Sequence, residues 1–242
     1  MYVGGCKMGP LQGKTAIITG SSGGIGARIA KELAKEGTNV VLAARNVEKL
    51  SEIEKEIKEQ KNGKVLTVQT DVTNKQHVEV LVNKAEEAFN HVDILVNNAG
   101  QMLSSTIRSG KVEEWEKMID VNIKGVLYNI HSVLPSMLER SCGHIINIAS
   151  VSGFEVTKVS TVYSATKFAV RAISAGLEKE LAKTGVRVTN ISPGMVDTNL
   201  TDQSSWNNER KKLEPKDIAK AVVYAVTQPD YVNVNEITVR PI

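Results

Sequence analysis

Cysteine, aromatic residues and long apolar runs are all scarce in this chain of 242 residues. Two cysteines, Cys6 and Cys142, are too few and too far apart for a disulfide framework or a zinc site, and both are expected to be reduced thiols. No stretch approaches the ~20 apolar residues of a bilayer-spanning helix, and the first residues show no charged segment followed by an apolar core. The expectation is a cytoplasmic protein without a membrane partner. An excess of charge of one sign is missing as well. Lys and Arg number 30 against 27 Asp and Glu, and the resulting +3 is too small and dispersed for a nucleic-acid surface. The cluster Arg210, Lys211, Lys212, Lys216 and Lys220 reads as a solvated face. Nor does any Pro/Gly/Ser-rich linker or low-complexity stretch divide the chain. One domain is expected over 13–242, preceded by a flexible arm over 1–12 with Gly4, Gly5, Gly9 and Pro10.

What is present is an alternation of short apolar runs and helical patterns. Thr15 to Thr19, Val40 to Ala44, Val65 to Gln69, Ile94 to Val96, Ile145 to Ile148 and Val186 to Ile191 are uninterrupted, as strands buried on both faces of a parallel sheet must be. Between them, the spacing predicts helices over Ile25 to Glu36, ending at Gly37, and over Val47 to Gln60, ending near Gly63. Thr73-Asn74-Lys75-Gln76 reads as a capping box for a helix running to Asn90. Trp115, Met118, Ile119, Val126 and Ile130 trace the stripe of a long helix from Val112, with Pro135 as a possible kink. A further helix carries Tyr163 and Lys167 and ends near Thr184-Gly185, and Pro215 opens the last one. Glu236 to Val239 closes the chain as a strand. Such repeated β-α units imply an α/β fold, a Rossmann-type, doubly wound parallel sheet of about seven strands with helices on both faces.

Three features carry chemistry. Tyr163 and Lys167 stand four residues apart on one helix face, a spacing that brings a phenol within reach of an ammonium. A neighbouring positive charge favours the phenolate, so the Tyr163 pKa is expected to be lowered toward general acid/base work. Ser150 follows the fifth apolar run, where a hydroxyl can stabilise charge developing on a substrate oxygen; Ser152 is its competitor. At the first strand–helix junction, Gly20, Gly24 and Gly26 permit a tight turn and close approach of backbone to a pyrophosphate, or serve a plain tight turn. No cluster of His or Cys suggests a metal.

In combination, Thr19-Gly20-xxx-Gly24-Ile25-Gly26, Asp71-Val72, Asn97-Asn98-Ala99-Gly100, Asn122, Ser150, Tyr163-xxx-Lys167 and Pro193-Gly194 resemble the short-chain dehydrogenase/reductase family over residues 13–242. The resemblance implies a set of roles. Ser150 polarises a substrate oxygen, and its offset from Tyr163 matches the family where that of Ser152 does not. Tyr163 transfers the proton, and Lys167 tunes it and holds the nicotinamide ribose. Asn122 anchors a water in the proton relay, although a satisfied core amide explains it equally well from pattern alone. Gly20, Gly24, Ile25 and Gly26 cradle the pyrophosphate, and Ser22, with Asn46, is a further donor toward a 2′-phosphate. Asp71 and Val72 meet the adenine, with Asp71 also favourable as a carboxylate at a helix start. The backbone of Asn98, Ala99 and Gly100 lies along the adenosine ribose, while Asn97 stabilises the sheet. Pro193, Gly194, Val196 and Thr198 hold the nicotinamide half, or simply make a turn. Where NAD-dependent relatives carry an acid, this chain has Ala44, followed by Arg45 and Asn46. Arg45 can grip a 2′-phosphate, which makes NADP(H) the expected cofactor; an exposed Arg is the plainer alternative.

The expected reaction is hydride transfer between nicotinamide and a small carbonyl or secondary alcohol. The segment Tyr231 to Pro241 resembles the branch acting on 3-hydroxy acids and small ketones. A 3-oxoacyl carrier-protein reductase and a non-catalytic NADP(H)-sensing regulator are the alternatives. Residues 101–110, 151–160 and 195–212 are expected to grip the substrate, with Met102, Leu103, Phe154, Val156 and Met195 making the pocket mixed or apolar and a substrate loop over about 195–214. Apolar surface on the Val112 and Tyr163 helices, beyond what one sheet face needs, points to a homodimer or homotetramer.

Overall fold

The computed structural model describes residues 11–59, 63–103, 106–198 and 211–242. Of the arm expected over 1–12, residues 1–10 lie outside the described residues, as does the central part of the 195–214 loop; Leu11 is buried in the core, so the arm ends before it. Among the described residues there are seven strands: β1 (Thr15–Thr19), β2 (Asn39–Ala44), β3 (Val65–Gln69), β4 (Ile94–Asn97), β5 (Gly143–Ile148), β6 (Val186–Pro193) and β7 (Glu236–Val239). All pair in parallel, in the order β3-β2-β1-β4-β5-β6-β7. The order reverses between β1 and β4, and the crevice that opens there at the carboxyl ends of the strands is where such sheets bind ligands.

Alternation of side chains along each strand explains why the apolar runs are continuous. Ala16, Ile18, Val40, Leu42, Ile94, Val96 and Ile146 face one layer, with Ile29 and Leu33 of α1 (Gly24–Lys35), Leu50 and Ile57 of α2 (Val47–Glu59), and Ile218 and Val222. Ile17, Val41, Ala43, Leu95 and Ile145 face the other, against Leu81 and Val82 of α3 (Lys75–Phe89), Val126 and Ile130 of α5 (Gly125–Glu139) and Val170 of α6 (Thr161–Glu180). α4 (Val112–Ile119) precedes α5, and α7 (Pro215–Val226) belongs to the first layer.

Three local expectations are corrected. Thr73 does not cap α3. Asn74 does, its Oδ1 accepting the His77 N–H at 3.2 Å, because the Thr73 hydroxyl donates to Asp71 instead. The helix read as continuous from Val112 contains a π-helical turn over Asp120–Lys124 between α4 and α5. Buried Cys142 is disulfide-bonded rather than a free thiol.

Candidate active site

A cleft of about 1140 Å³ runs along the carboxyl edge of β1, β2, β4, β5 and β6. Its floor is the turn from β1 into α1. Gly20 has φ +66°, and a Cβ there would lie 2.8 Å from the Ala99 Cα; Gly24 has φ +54°. Gly20 is therefore confined to glycine, and the φ at Gly24 favours it. Ser22, Gly24 and Ile25 line the cleft, whereas Gly26 lies beneath it, where a Cβ would run into the Gly20 carbonyl. Asn98 braces the turn, its Nδ2 donating to the carbonyls of Thr19 and Gly20 at 3.0 and 3.2 Å. The N–H groups of Asn98 and Ala99 both donate to the Thr19 hydroxyl at 3.1 Å, which presents Ala99 and Gly100 to the cleft. Asn97 instead donates to Asn147 Oδ1 on β5 at 2.9 Å, within the sheet.

At one end stand Ala44, Arg45, Asn46, Lys49, Asp71 and Val72. Burial alone would raise the Asp71 carboxyl, but Thr73 donates both its N–H and its hydroxyl, at 3.0 and 2.8 Å, and the charges of Arg45 and His77 add to them. The result is a carboxylate held below its usual range. Asn46 Oδ1 accepts the Lys49 N–H at 2.8 Å, which starts α2 and turns Lys49 toward the cleft. Lys49 was not foreseen; its place one turn after Arg45 was the available signal.

At the other end, Ser150, Tyr163 and Lys167 share one wall. The Ser150 hydroxyl is hydrogen-bonded to the Tyr163 phenol and accepts the Ser152 N–H at 3.1 Å. Ser152 thus serves the turn. Lys167 is 6% exposed, and burial pushes its pKa down to about 8. Its Nζ donates to the Ile148 carbonyl at 2.9 Å and stands 5.8 Å from the centre of the Tyr163 ring. The expectation that the ammonium lowers the Tyr163 pKa is not met here. Tyr163 is half-buried, yet desolvation of its phenol raises the pKa, and only the Ser150 hydrogen bond opposes that. The phenol is neutral at physiological pH.

Asn122 sits on the π-helical turn, a type of distortion common at functional sites. Its Oδ1 accepts the Gln101 N–H at 2.8 Å, and its Nδ2 donates to the Gln101 carbonyl at 2.9 Å and to the Thr166 hydroxyl at 3.0 Å. The amide is therefore a satisfied buried group. It also approaches Lys167 around Gly100, where a Cβ would lie 3.6 Å from both Asn122 Oδ1 and Lys167 Nζ.

Pro193 ends β6, Gly194, Val196 and Thr198 follow it along the cleft, and the base of the loop is closed by Asp197 N–H to Leu213 O and Leu213 N–H to Met195 O. Of the residues expected to form an apolar substrate wall, Met102 alone lines the described cleft. Val156 is exposed, and Phe154 lies under the Arg171 guanidinium, 3.5 Å from its ring centre. Gln101, at the start of the 101–110 segment expected to grip the substrate, lines the cleft, as does Val121, which was not foreseen.

The fold and cleft are those of a doubly wound α/β protein with the dinucleotide-binding architecture. The model of the short chain dehydrogenase family matches residues 14–209. The chain is 62% identical over 232 residues to an uncharacterized oxidoreductase of Staphylococcus saprophyticus, covering 96% of this chain and 99% of that protein. It is 59% identical over 233 residues to an uncharacterized oxidoreductase of Staphylococcus aureus, with coverage of 96% and 99%. Among solved structures it is similar to serine dehydrogenase from Escherichia coli, with TM-score 0.80, 34% identity and coverage of 93% and 96%. It is also similar to an alcohol dehydrogenase from Thermococcus sibiricus complexed with 5-hydroxy-NADP, with TM-score 0.87, 32% identity and coverage of 95% and 97%. The chain belongs to the short chain dehydrogenase family of oxidoreductases.

Proposed function

We propose that this protein is an NADP(H)-dependent oxidoreductase acting on a small carbonyl or secondary-alcohol substrate. The observation that carries the reading is the common wall formed by Ser150, Tyr163 and Lys167, in the same cleft as the glycine turn. The cleft fits a dinucleotide: a Cβ at Gly20 would strike Ala99, and α1 begins at Gly24 with no side-chain cap on its first N–H groups. Gly20, Ser22, Gly24 and Ile25 would hold the pyrophosphate, Asp71 and Val72 the adenine, and Asn98, Ala99 and Gly100 the adjacent ribose. Gly26 keeps α1 close to the turn. Pro193, Gly194, Val196 and Thr198 would hold the nicotinamide half. Arg45, with Asn46 and Lys49, offers cations and donors to a 2′-phosphate beside the neutral Ala44. Similarity to the alcohol dehydrogenase solved with 5-hydroxy-NADP and to serine dehydrogenase complexed with NADP+ supports that choice.

The nicotinamide, when bound, supplies or accepts the hydride. Tyr163, neutral because of its raised pKa, holds the proton that the carbonyl oxygen needs in reduction. Ser150 positions that phenol and donates to the same oxygen. Lys167 holds the ribose and, with Asn122 around Gly100, forms the route by which Tyr163 recovers its proton from solvent. Likeness to the serine dehydrogenase favours small hydroxy acids among the substrates. The test is a panel of ketones, aldehydes and 3-hydroxy acids, followed through the absorbance of the reduced nicotinamide. Turnover with NADPH or NADP+ is expected on at least one, and none across the panel refutes the reading.

A further inference from the structure

Arg171 lies one and two helical spacings beyond Lys167 and Tyr163 on α6, and it is tied to more groups than a surface residue needs. Its Nε and Nη2 donate to both carboxylate oxygens of Glu236 on β7, at 3.0 and 3.3 Å. Its Nη1 donates to the Gly153 carbonyl at 3.0 Å, and its guanidinium covers the Phe154 ring at 3.5 Å. Gly153 and Phe154 belong to the turn that begins at Ser150. The Gly153 N–H donates to the Ser150 carbonyl, the Phe154 N–H to the Val151 carbonyl, and the Ser152 N–H to the Ser150 hydroxyl. A Cβ at Gly153 would lie 2.8 Å from Arg171 Cδ and 3.0 Å from the Lys167 carbonyl, so the turn is pressed flat against α6.

Glu236 is anchored in turn. It stands in register with Asn190 of β6, whose Nδ2 donates to its Oε1 at 3.2 Å. Asn190 is in register with Asn147 of β5, and Asn147 Nδ2 reaches Ser174 on α6 at 2.9 Å. A second ion pair, Arg240 to Glu155 at 2.8 Å, joins the same turn to the segment after β7. The Ser150 turn is therefore braced from the far edge of the sheet and from α6 together, with Arg171 as the group that bonds to both.

We infer that Arg171 is a positioning residue of the active site: by holding Gly153 and Phe154 it fixes the Ser150 hydroxyl against the Tyr163 phenol. This rests on the function proposed above. Ser150 is held from one side by its own turn, and two hydrogen bonds in series connect its backbone to the guanidinium. A bidentate pair and a stacked ring need the planar fork of arginine, which an ammonium does not reproduce. Misplacement of a reacting group by about 1 Å costs on the order of a hundredfold in rate.

The experiment compares Arg171→Met, Arg171→Lys and Glu236→Gln with the unmodified protein, in steady-state reduction, in NADPH titration and in amide hydrogen exchange. Arg171→Met is expected to lower kcat about ten- to a hundredfold, with the NADPH Kd within about twofold because Arg45 and the glycine turn are untouched. Arg171→Lys, with one donor for Gly153, recovers part of kcat, and Glu236→Gln, which keeps the Gly153 bond and the stack, loses less than Arg171→Met. Exchange should accelerate at Gly153, Phe154 and Glu155 while β4 and β5 stay protected. The inference is overturned by kcat within twofold of the unmodified value in Arg171→Met. It is equally overturned if kcat, NADPH affinity and strand protection fall together, which marks a merely structural residue, or if protection of residues 153–155 is unchanged. The exchange measurement reads the brace even in a protein that turns over no carbonyl, so failure of the functional reading is seen separately, in the unmodified protein.

Discussion

Arg45→Ala isolates the contribution of one cation to cofactor choice. Arg45 follows the carboxyl end of β2 at the rim of the cleft, beside Ala44, Asn46 and Lys49. A 2′-phosphate carries about two negative charges at neutral pH. A charge-assisted hydrogen bond contributes roughly 1.5–3 kcal/mol, so its loss should weaken NADPH about ten- to a hundredfold. NADH lacks that phosphate and should be affected within about twofold. Lys49 keeps part of the attraction, which places Arg45→Ala toward the lower end of the range. Adding Ala44→Asp sets a carboxylate against the phosphate. Two unit charges about 4 Å apart near a protein surface repel by roughly 4 kcal/mol, enough to reverse the preference by negative selection. The assay is kcat/KM for both cofactors at low and high ionic strength, and the NADPH advantage should shrink with salt because the contact is exposed. Equal losses for NADPH and NADH in Arg45→Ala would show that the guanidinium acts on the fold of the β2–α2 turn and not on the phosphate.

Four other outcomes follow from the same geometry. Tyr163→Phe should keep NADPH affinity and lose several orders of magnitude in kcat; retention of a tenth of the turnover would refute the proton-donor role. Because the Tyr163 pKa is raised, reduction rates should be flat through neutral pH and fall only in alkali, whereas alcohol oxidation should rise toward alkali; an oxidation rate that is flat above neutrality contradicts this. His144 is fully buried, bonds Thr189 at 2.8 Å, and is held well below its usual pKa by burial and by Arg187. The unfolded chain then binds the extra proton, so stability should fall as pH drops below about 6.5, by about 1.4 kcal/mol per unit; denaturant titrations in which His144→Gln keeps the same slope would sink that assignment. Exposed Ile119, Leu127, Leu138 and Phe168 on the helices over 112–139 and α6 lead us to propose a homo-oligomer, so light scattering should give at least a dimer, and a monomer at micromolar concentration would refute it.

Much of the fold was legible because its causes are local or periodic. β1, β3 and β7 occupy the spans read from the sequence; β1 is buried along its whole length, as its unbroken run requires, whereas β3 and β7 are the partly exposed edges of the sheet. Ser150, Tyr163 and Lys167 could be found by spacing because the helix and the strand end place them mechanically, and Gly20 and Gly24 because their positive φ favours glycine, at Gly20 with no room for a Cβ. What tertiary structure decided were the competitions between partners. Thr73 goes to Asp71 and leaves the cap to Asn74; a π-helical turn sets Asn122 under Gln101; Phe154 leaves the substrate wall for Arg171. The Tyr163 pKa belongs to the same group, because desolvation and an ammonium bonded to Ile148 oppose what the four-residue spacing promised. Periodicity reports which face of an element is buried, but which of several donors an acceptor takes depends on distances across the sheet, between residues far apart along the chain.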